Sequence, residues 1–179
     1  VVGDGETIGS DLIETLRDRP VRQERLRSTP GICYLDEAGE FIFTGHRAAL
    51  SADRLPEPDF SILEEDGSLP HFVPSESPWP DWEGGPSERL RWTTVIAAKG
   101  CVARCTFCHR WERGYRFQPE DRIMAHIRRL RENYGITHIA IGDENFGSDQ
   151  KGALDLARRL GEEGVIWRAA GVRAFSADP

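Results

Sequence analysis

Apolar positions near the start of the chain recur at helical spacing. Ile8, Leu12, Ile13 and Leu16 predict an amphipathic helix of about three turns. Before it stand Val1-Val2 and Gly3-Asp4-Gly5-Glu6, the pattern of a strand end and a tight glycine turn. Beyond Pro30-Gly31 the spacing changes. Ile32-Cys33-Tyr34-Leu35 and Phe41-Ile42-Phe43-Thr44 flank Asp36-Glu37-Ala38-Gly39-Glu40, two short β-rich runs around a glycine-containing turn. They predict a hairpin, with Cys33 as a small buried hydrophobe within it.

In the second half, strand and helix patterns alternate. Trp92 to Ala98 is β-rich and ends at Lys99-Gly100-Cys101. A helix is predicted after Gln118, with Pro119 in its first turn, Glu120 and Asp121 beside it, and Gly135 as its C-terminal cap. Its apolar stripe is Ile123, Ile127, Leu130 and Tyr134. Ile136 to Ile141 is the next strand and leads into Gly142-Asp143-Glu144-Asn145-Phe146. Ser148 or Asp149 can cap a further helix that turns Leu154, Ala157 and Leu160 inward and closes at Gly164; Val165 to Ala170 is a third strand. This β-loop-α-β-α-β order predicts an α/β fold with parallel strands.

Between the two halves, residues 51–91 hold seven of the 11 prolines. Proline removes backbone donors and keeps its predecessors extended, so neither a long helix nor a central strand fits there. With Trp79 and Trp82 inside it, the segment reads as an ordered connector between a first domain, 1–50, and a second, 92–179. The chain opens on valine and its one methionine is Met124, so it reads as a segment of a longer protein. Three strands do not close a barrel, and on that reading the piece alone is inactive and marginally folded.

Charge narrows the function classes. Lys+Arg 23 against Asp+Glu 30 gives −7, which argues against a general nucleic-acid binder. The arginines between Arg104 and Arg131, interleaved with Trp111, Tyr115 and Phe117, read as a solvated helix face or as an RNA-binding patch. No run approaches the roughly 18 apolar residues of a membrane span, and the opening carries no signal-peptide pattern.

Of the four cysteines, Cys101, Cys105 and Cys108 fall within eight residues, with spacing C-x3-C-x2-C. A disulfide framework spreads cysteines along a chain, whereas this clustering favours a metal or an iron–sulfur cluster in a reducing compartment such as the cytoplasm. The motif follows a strand and precedes a helix, where parallel α/β folds bind their ligands. Three thiolates leave one iron of a [4Fe–4S] cluster open. A zinc site completed by His109 is the structural alternative.

The C-x3-C-x-aromatic-C pattern, with Phe107 before the third cysteine, resembles the radical S-adenosylmethionine superfamily. The resemblance implies that Cys101, Cys105 and Cys108 hold a [4Fe–4S] cluster. Its open iron would bind S-adenosylmethionine, and its electron would cleave the sulfonium to a 5′-deoxyadenosyl radical. Phe107 would pack near the adenine. Lys99-Gly100-Cys101, Gly114 to Glu120 and Gly142-Asp143-Glu144-Asn145-Phe146 are similar to the branch that carries a cobalamin-binding domain. There Asp143, Glu144 and Asn145 would lie near the S-adenosylmethionine amino group. Gly3, Gly5 and Glu6 resemble part of a cobalamin pocket, and Pro30-Gly31-Ile32 and Leu55 to Asp59 the hairpin and linker after it.

The fold implied is the C-terminal part of a doubly wound cobalamin-binding domain followed by the first β/α units of a partial TIM-type barrel. The partners implied are a small-molecule or natural-product substrate and an electron donor such as flavodoxin or ferredoxin. Methylthiotransferase or tRNA-modifying activity is the enzymatic alternative, and a zinc-stabilised binding module the non-enzymatic one. Two positions depart from the family pattern: Val102 where proline is usual, and His126 where an acidic residue is usual. The Asp-x-His-x-x-Gly cobalt-ligand motif does not occur.

Overall fold

The computed structural model of the chain describes residues 1–17, 20–74, 90–108 and 114–173. The elements run α1 (Gly5–Arg17), α2 (Gln23–Ser28), β1 (Cys33–Leu35), β2 (Phe41–Phe43), a 3-10 turn (Ala52–Arg54), α3 (Ser61–Glu65) and α4 (Leu69–Phe72). They continue with β3 (Trp92–Val95), β4 (Ala98–Gly100), β5 (Tyr115–Phe117), α5 (Glu120–Tyr134), β6 (His138–Ile141), α6 (Gln150–Glu162) and β7 (Ile166–Ala169). Two compact units result, Val1–Pro56 and Glu57–Pro179. Among the described residues no helix is long and apolar enough to cross a membrane.

In the first unit β1 and β2 pair antiparallel, with Cys33 opposite Phe43 and Leu35 opposite Phe41, so the expected hairpin forms. Its faces are the reverse of the expectation. Cys33, Leu35, Phe41 and Phe43 are exposed, so Cys33 is not a buried hydrophobe. Alternation puts these four side chains on one face and Tyr34 with Ile42 on the other. Both faces are apolar, so the pattern does not tell which one turns inward.

The inward stripe of α1 also differs. Ile8 and Thr15 are buried, while Ile13 is 64% and Leu16 42% exposed. Thr15 is tolerated inside because its hydroxyl lies 2.8 Å from the Asp11 carbonyl and 2.9 Å from the Thr29 hydroxyl. Val1-Val2 forms no strand; the Val2 N–H donates to the Gly31 carbonyl instead. At Gly31, φ is +82° and a Cβ would stand 2.5 Å from Ile8 Cδ1, so only glycine fits against α1 there.

The second unit is α/β, built on a parallel sheet in the order β3-β6-β7. Trp92 pairs with His138 and Val95 with Ile141, and β6 continues onto β7 from His138 opposite Ile166. Helix α5 leads into β6, and α6 links β6 to β7. Ile123, Met124, Ile127 and Leu130 of α5 and Ala153, Leu156 and Leu160 of α6 share one core with Val95, Ile139 and Ile141. Phe60 and Val73, from the proline-rich stretch, belong to that same core. The tryptophans read into the connector, Trp79 and Trp82, lie outside the described residues.

Helix α5 forms as its signals predict. Its stripe residues Ile123, Ile127 and Leu130 are buried, and Gly135 closes it at φ +63°. Pro119 takes the N-cap position. Asp149 caps α6 by accepting from the Gly152 N–H at 3.1 Å. The inward face of α6 is Gly152, Ala153, Leu156 and Leu160, while Leu154 is 65% exposed, against expectation. The reason is steric. A Cβ at Gly152 would stand 2.8 Å from Asp149 Oδ2 and 3.2 Å from Phe117 Cδ1, so α6 approaches its neighbours along a face of small residues.

Candidate functional site

The expected strand from Trp92 to Ala98 is two strands. β3 ends at Val95, the chain bends at Ile96-Ala97, and β4 pairs antiparallel with β5, Ala98 opposite Phe117 and Gly100 opposite Tyr115. A short strand therefore stands between the cysteine run and α5, where the sequence reading has none. The segment from Cys101 to Gly114 leaves and re-enters through one neck. Gly100, at φ +83°, would bring a Cβ within 2.3 Å of the Gly114 carbonyl oxygen, and Gly114 itself sits at φ +94°.

All three clustered cysteines are free thiols; Cys101 and Cys105 are half-buried and Cys108 is exposed. The Cys108 N–H donates to the Cys105 carbonyl at 3.2 Å, which folds the second half of the motif into a turn. The Ala103 N–H points at Cys101 Sγ from 3.4 Å. Phe107 is 91% exposed. His109, the proposed fourth ligand of a zinc site, lies outside the described residues, as do Trp111 and the rest of 109–113. Among the described residues no three His, Cys, Asp or Glu side chains form a single-ion site. In donor chemistry the motif fits an iron–sulfur cluster: three soft ligands, none in a disulfide, carried by one loop.

The loop stem is tied to the C-terminal edge of the sheet. Asp143, two residues past β6 and 5% exposed, accepts from the Ala97 and Ala98 N–H groups through Oδ1, at 2.8 and 2.9 Å. Its Oδ2 is buried without a hydrogen-bond partner. Burial pushes the Asp143 carboxyl up to about 6, against the two backbone donors. From the other side the Gln118 amide side chain donates to the Ile96 carbonyl at 2.6 Å, and the Gln118 N–H to the Ala97 carbonyl at 2.8 Å.

The residues expected beside Asp143 divide. Glu144 is exposed. Asn145 is 1% exposed; its amide donates to Ser148 Oγ at 2.7 Å and its Oδ1 accepts from the Arg173 N–H at 3.3 Å. At Gly171, φ is +67° and a Cβ would come within 2.9 Å of both the Asp143 and Glu144 carbonyl oxygens, so the chain after β7 closes against this edge.

In the first unit, Gly3 has φ +106° and Gly5 opens α1, where a Cβ would meet nothing within 4 Å. Between them Asp4 is buried and its Oδ2 accepts from the Leu50 N–H at 3.0 Å. Glu6 is half-buried in the first turn of α1.

Sequence reasoning missed the polar cluster under α5. Glu57 pairs with Arg129, with Arg122 Nε at 3.4 Å and with His126 Nδ1 at 3.3 Å. Burial lowers the His126 imidazole, with Glu57 acting in the opposite sense. For Glu57 burial acts upward, but the Arg129 hydrogen bond and the His126 and Arg129 charges hold it below its ordinary 4.5. An unfolded histidine takes up its proton near 6.5, the folded one only at lower pH, so stability falls as the medium is acidified below about 6.5. Asp143 acts oppositely. Its carboxyl is raised from 3.8 to about 6, so its stabilising proton is lost as pH rises through that window. Replacing His126 by glutamine is expected to remove the acid-side loss. Thermal melts between pH 7.5 and 5 would then show the melting temperature of the variant holding or rising where wild type falls.

An α/β scaffold with a thiol-bearing loop at its sheet edge does not by itself name a reaction, and comparison with known proteins narrows the choice. Over 158 residues, 76% of this chain, it is 27% identical to cytidylyl-2-hydroxyethylphosphonate methyltransferase of Streptomyces wedmorensis. It is 24% identical over 95% of its length to an uncharacterized methyltransferase of Pyrococcus horikoshii. It is 21% identical over 92% of its length to the anaerobic magnesium-protoporphyrin IX monomethyl ester cyclase of Cereibacter sphaeroides. The chain spans 29%, 34% and 24% of these relatives' own lengths. No family model and no solved structure matches it. The likeness is thus to enzymes, two of them named for methyl transfer.

Proposed function

We propose that this chain is part of a radical S-adenosylmethionine enzyme, with Cys101, Cys105 and Cys108 holding a [4Fe–4S] cluster. The observation that carries the reading is the triad of free thiols on one pinched loop beside the buried Asp143. When bound, the cluster supplies the electron that splits S-adenosylmethionine to a 5′-deoxyadenosyl radical. The residues of the chain bind and orient. Glu144, exposed at the end of β6, offers a carboxylate to the ammonium group of S-adenosylmethionine, and buried Asn145 fixes the turn that presents it. Phe107 offers an exposed ring for adenine to stack on. The second unit is read as the start of a partial TIM-type barrel and the first, through Gly3, Gly5 and Glu6, as the end of a cobalamin-binding domain.

The names of two relatives favour methyl transfer. Cobalamin as methyl carrier, a small-molecule or natural-product substrate, and a flavodoxin or ferredoxin as electron donor in the cytoplasm complete the proposal. The test is anaerobic reconstitution of the full-length protein with iron and sulfide. About four irons per chain and a broad visible absorption shoulder are expected. Release of 5′-deoxyadenosine from S-adenosylmethionine, assayed with and without cobalamin, then separates the branch from its relatives. Stoichiometric zinc with no iron would overturn the reading in favour of a structural site.

A further inference from the structure

The polar arrangement around Asp143 does more than end a strand. Its Oδ1 grips two consecutive backbone N–H groups, Ala97 and Ala98, at the bend that feeds β4 into Cys101. Besides Asp143, the bend is held by Gln118 through the Ile96 and Ala97 carbonyls, and among the described residues β4 pairs with β5 and not with the parallel sheet. A carboxylate bonding two adjacent amides fixes the direction of the chain more tightly than one ladder bond does, since both N–H vectors must converge on one oxygen. Asp143 in turn is set by β6, whose Ile141 pairs with Val95 and with Ala169. A line of rigid contacts therefore runs from the sheet to the cysteine loop.

The second oxygen is unexplained by this role. Asp143 Oδ2 is buried and unpartnered among the described residues, and such a group calls for a donor. The hydroxyl of Tyr115, the residue opposite Gly100 on the loop stem, is likewise buried; the Asp149 backbone lies near its oxygen, and its proton has no acceptor among the described residues. The two are within electrostatic reach. Burial first, and then the Asp143 carboxylate, push the Tyr115 phenol up to about 12 against the Asp149 backbone, so it keeps its proton and is available as a donor. One group lacks a donor and the other lacks an acceptor, and both border the same neck.

We propose that Asp143 is the positioning residue of the cysteine loop: Oδ1 sets the bend into Cys101, and Oδ2 accepts a hydrogen bond from the Tyr115 hydroxyl, directly or through one water, when the loop holds its metal group. The proposal deepens the cluster reading and rests on it for the identity of that group. Asp143 on this account acts through the backbone and does not itself touch S-adenosylmethionine.

The test uses the full-length protein as Asp143→Ala, Asp143→Asn and Tyr115→Phe. In the metal-free protein, the rate of iodoacetamide labelling at each cysteine is read by peptide mass spectrometry. Asp143→Ala is expected to label Cys101 about tenfold faster, as two charge-assisted bonds are lost, while Cys33 is unchanged. Asp143→Asn keeps an acceptor for both N–H groups and is expected to stay within about twofold of wild type. Labelling of Cys101 in Asp143→Ala within twofold of wild type, or equal acceleration at Cys33, would overturn the proposal.

In the reconstituted protein, adding S-adenosylmethionine is expected to shift the electron paramagnetic resonance spectrum of the reduced cluster fully in wild type, only weakly in Asp143→Asn, which has no second acceptor for the Tyr115 hydroxyl, and not at all in Asp143→Ala. Tyr115→Phe should weaken that shift without affecting metal-free labelling. A full shift in Asp143→Ala would overturn the positioning role. Absence of any cluster in wild type would sink the functional reading alone, because the labelling result stands on the metal-free protein.

Discussion

Alanine at Cys101, Cys105 or Cys108 is expected to abolish iron retention, each singly, while alanine at Cys33 leaves it unchanged. All four thiols are free, so the contrast does not rest on oxidation state. It rests on placement. Cys33 stands alone on the exposed face of the β1–β2 hairpin, whereas the other three share one loop whose ends meet at the Gly100–Gly114 neck. If three thiolates divide a metal-binding energy of the size found for structural zinc sites, about 10–16 kcal/mol, losing one costs on the order of 3 kcal/mol or more. That exceeds a hundredfold in affinity. Iron and acid-labile sulfide per chain after anaerobic reconstitution and desalting measure it directly. Wild-type iron content in Cys105→Ala would remove the ligand assignment for that residue, and equal losses in Cys33→Ala would point to non-specific iron on exposed thiols.

Part of this arrangement is legible from sequence because it is encoded locally. Helix α5 is announced by Pro119, by the acidic residues after it, by a regular apolar stripe and by Gly135, and each signal concerns residues within a few positions of one another. The β1–β2 hairpin and the Asp149 cap are local in the same way. The failures are contacts between distant residues. Leu154 looks like an inward residue by apolarity, yet the close approach at Gly152 selects Gly152 and Ala153. Thr15 is buried through a partner 14 residues away, which no periodicity reveals. The bend at Ile96-Ala97 is invisible because Trp92 to Ala98 is uniformly β-prone, and what divides it is the pairing of β4 with a strand beyond the loop. Alternation in Tyr115-Arg116-Phe117 is a usable signal for β5, but a three-residue run is below what pattern alone can support. Asp143 shows both sides: its place after β6 is readable, whereas its grip on Ala97 and Ala98 emerges only when the two strand ends are adjacent.

The neck of the loop gives the second large effect. Gly100→Ala is expected to destabilise the second unit and to empty the loop of metal, and Gly164→Ala serves as its control. Both glycines have positive φ, +83° and +63°, so both substitutions carry the left-handed penalty of about 1–2 kcal/mol. Their surroundings differ. At Gly164 a Cβ would meet nothing within 4 Å, whereas at Gly100 it would stand 2.3 Å from the Gly114 carbonyl oxygen and 3.2 Å from its carbon. That neighbour is backbone on the opposite side of the ladder, so relief requires the β4–β5 pairing to open. Opening it frees Tyr115 from its place opposite Gly100 and loosens the stem that Asp143 holds. The combined cost is expected to reach about 3 kcal/mol or more, beyond what strain alone accounts for. Urea unfolding of the metal-free full-length protein would report the difference between the two variants, and iron content after reconstitution would report its consequence. Equal destabilisation by the two alanines would mean that the strands do not meet as closely at Gly100 as described, and the pinched loop would lose its structural basis.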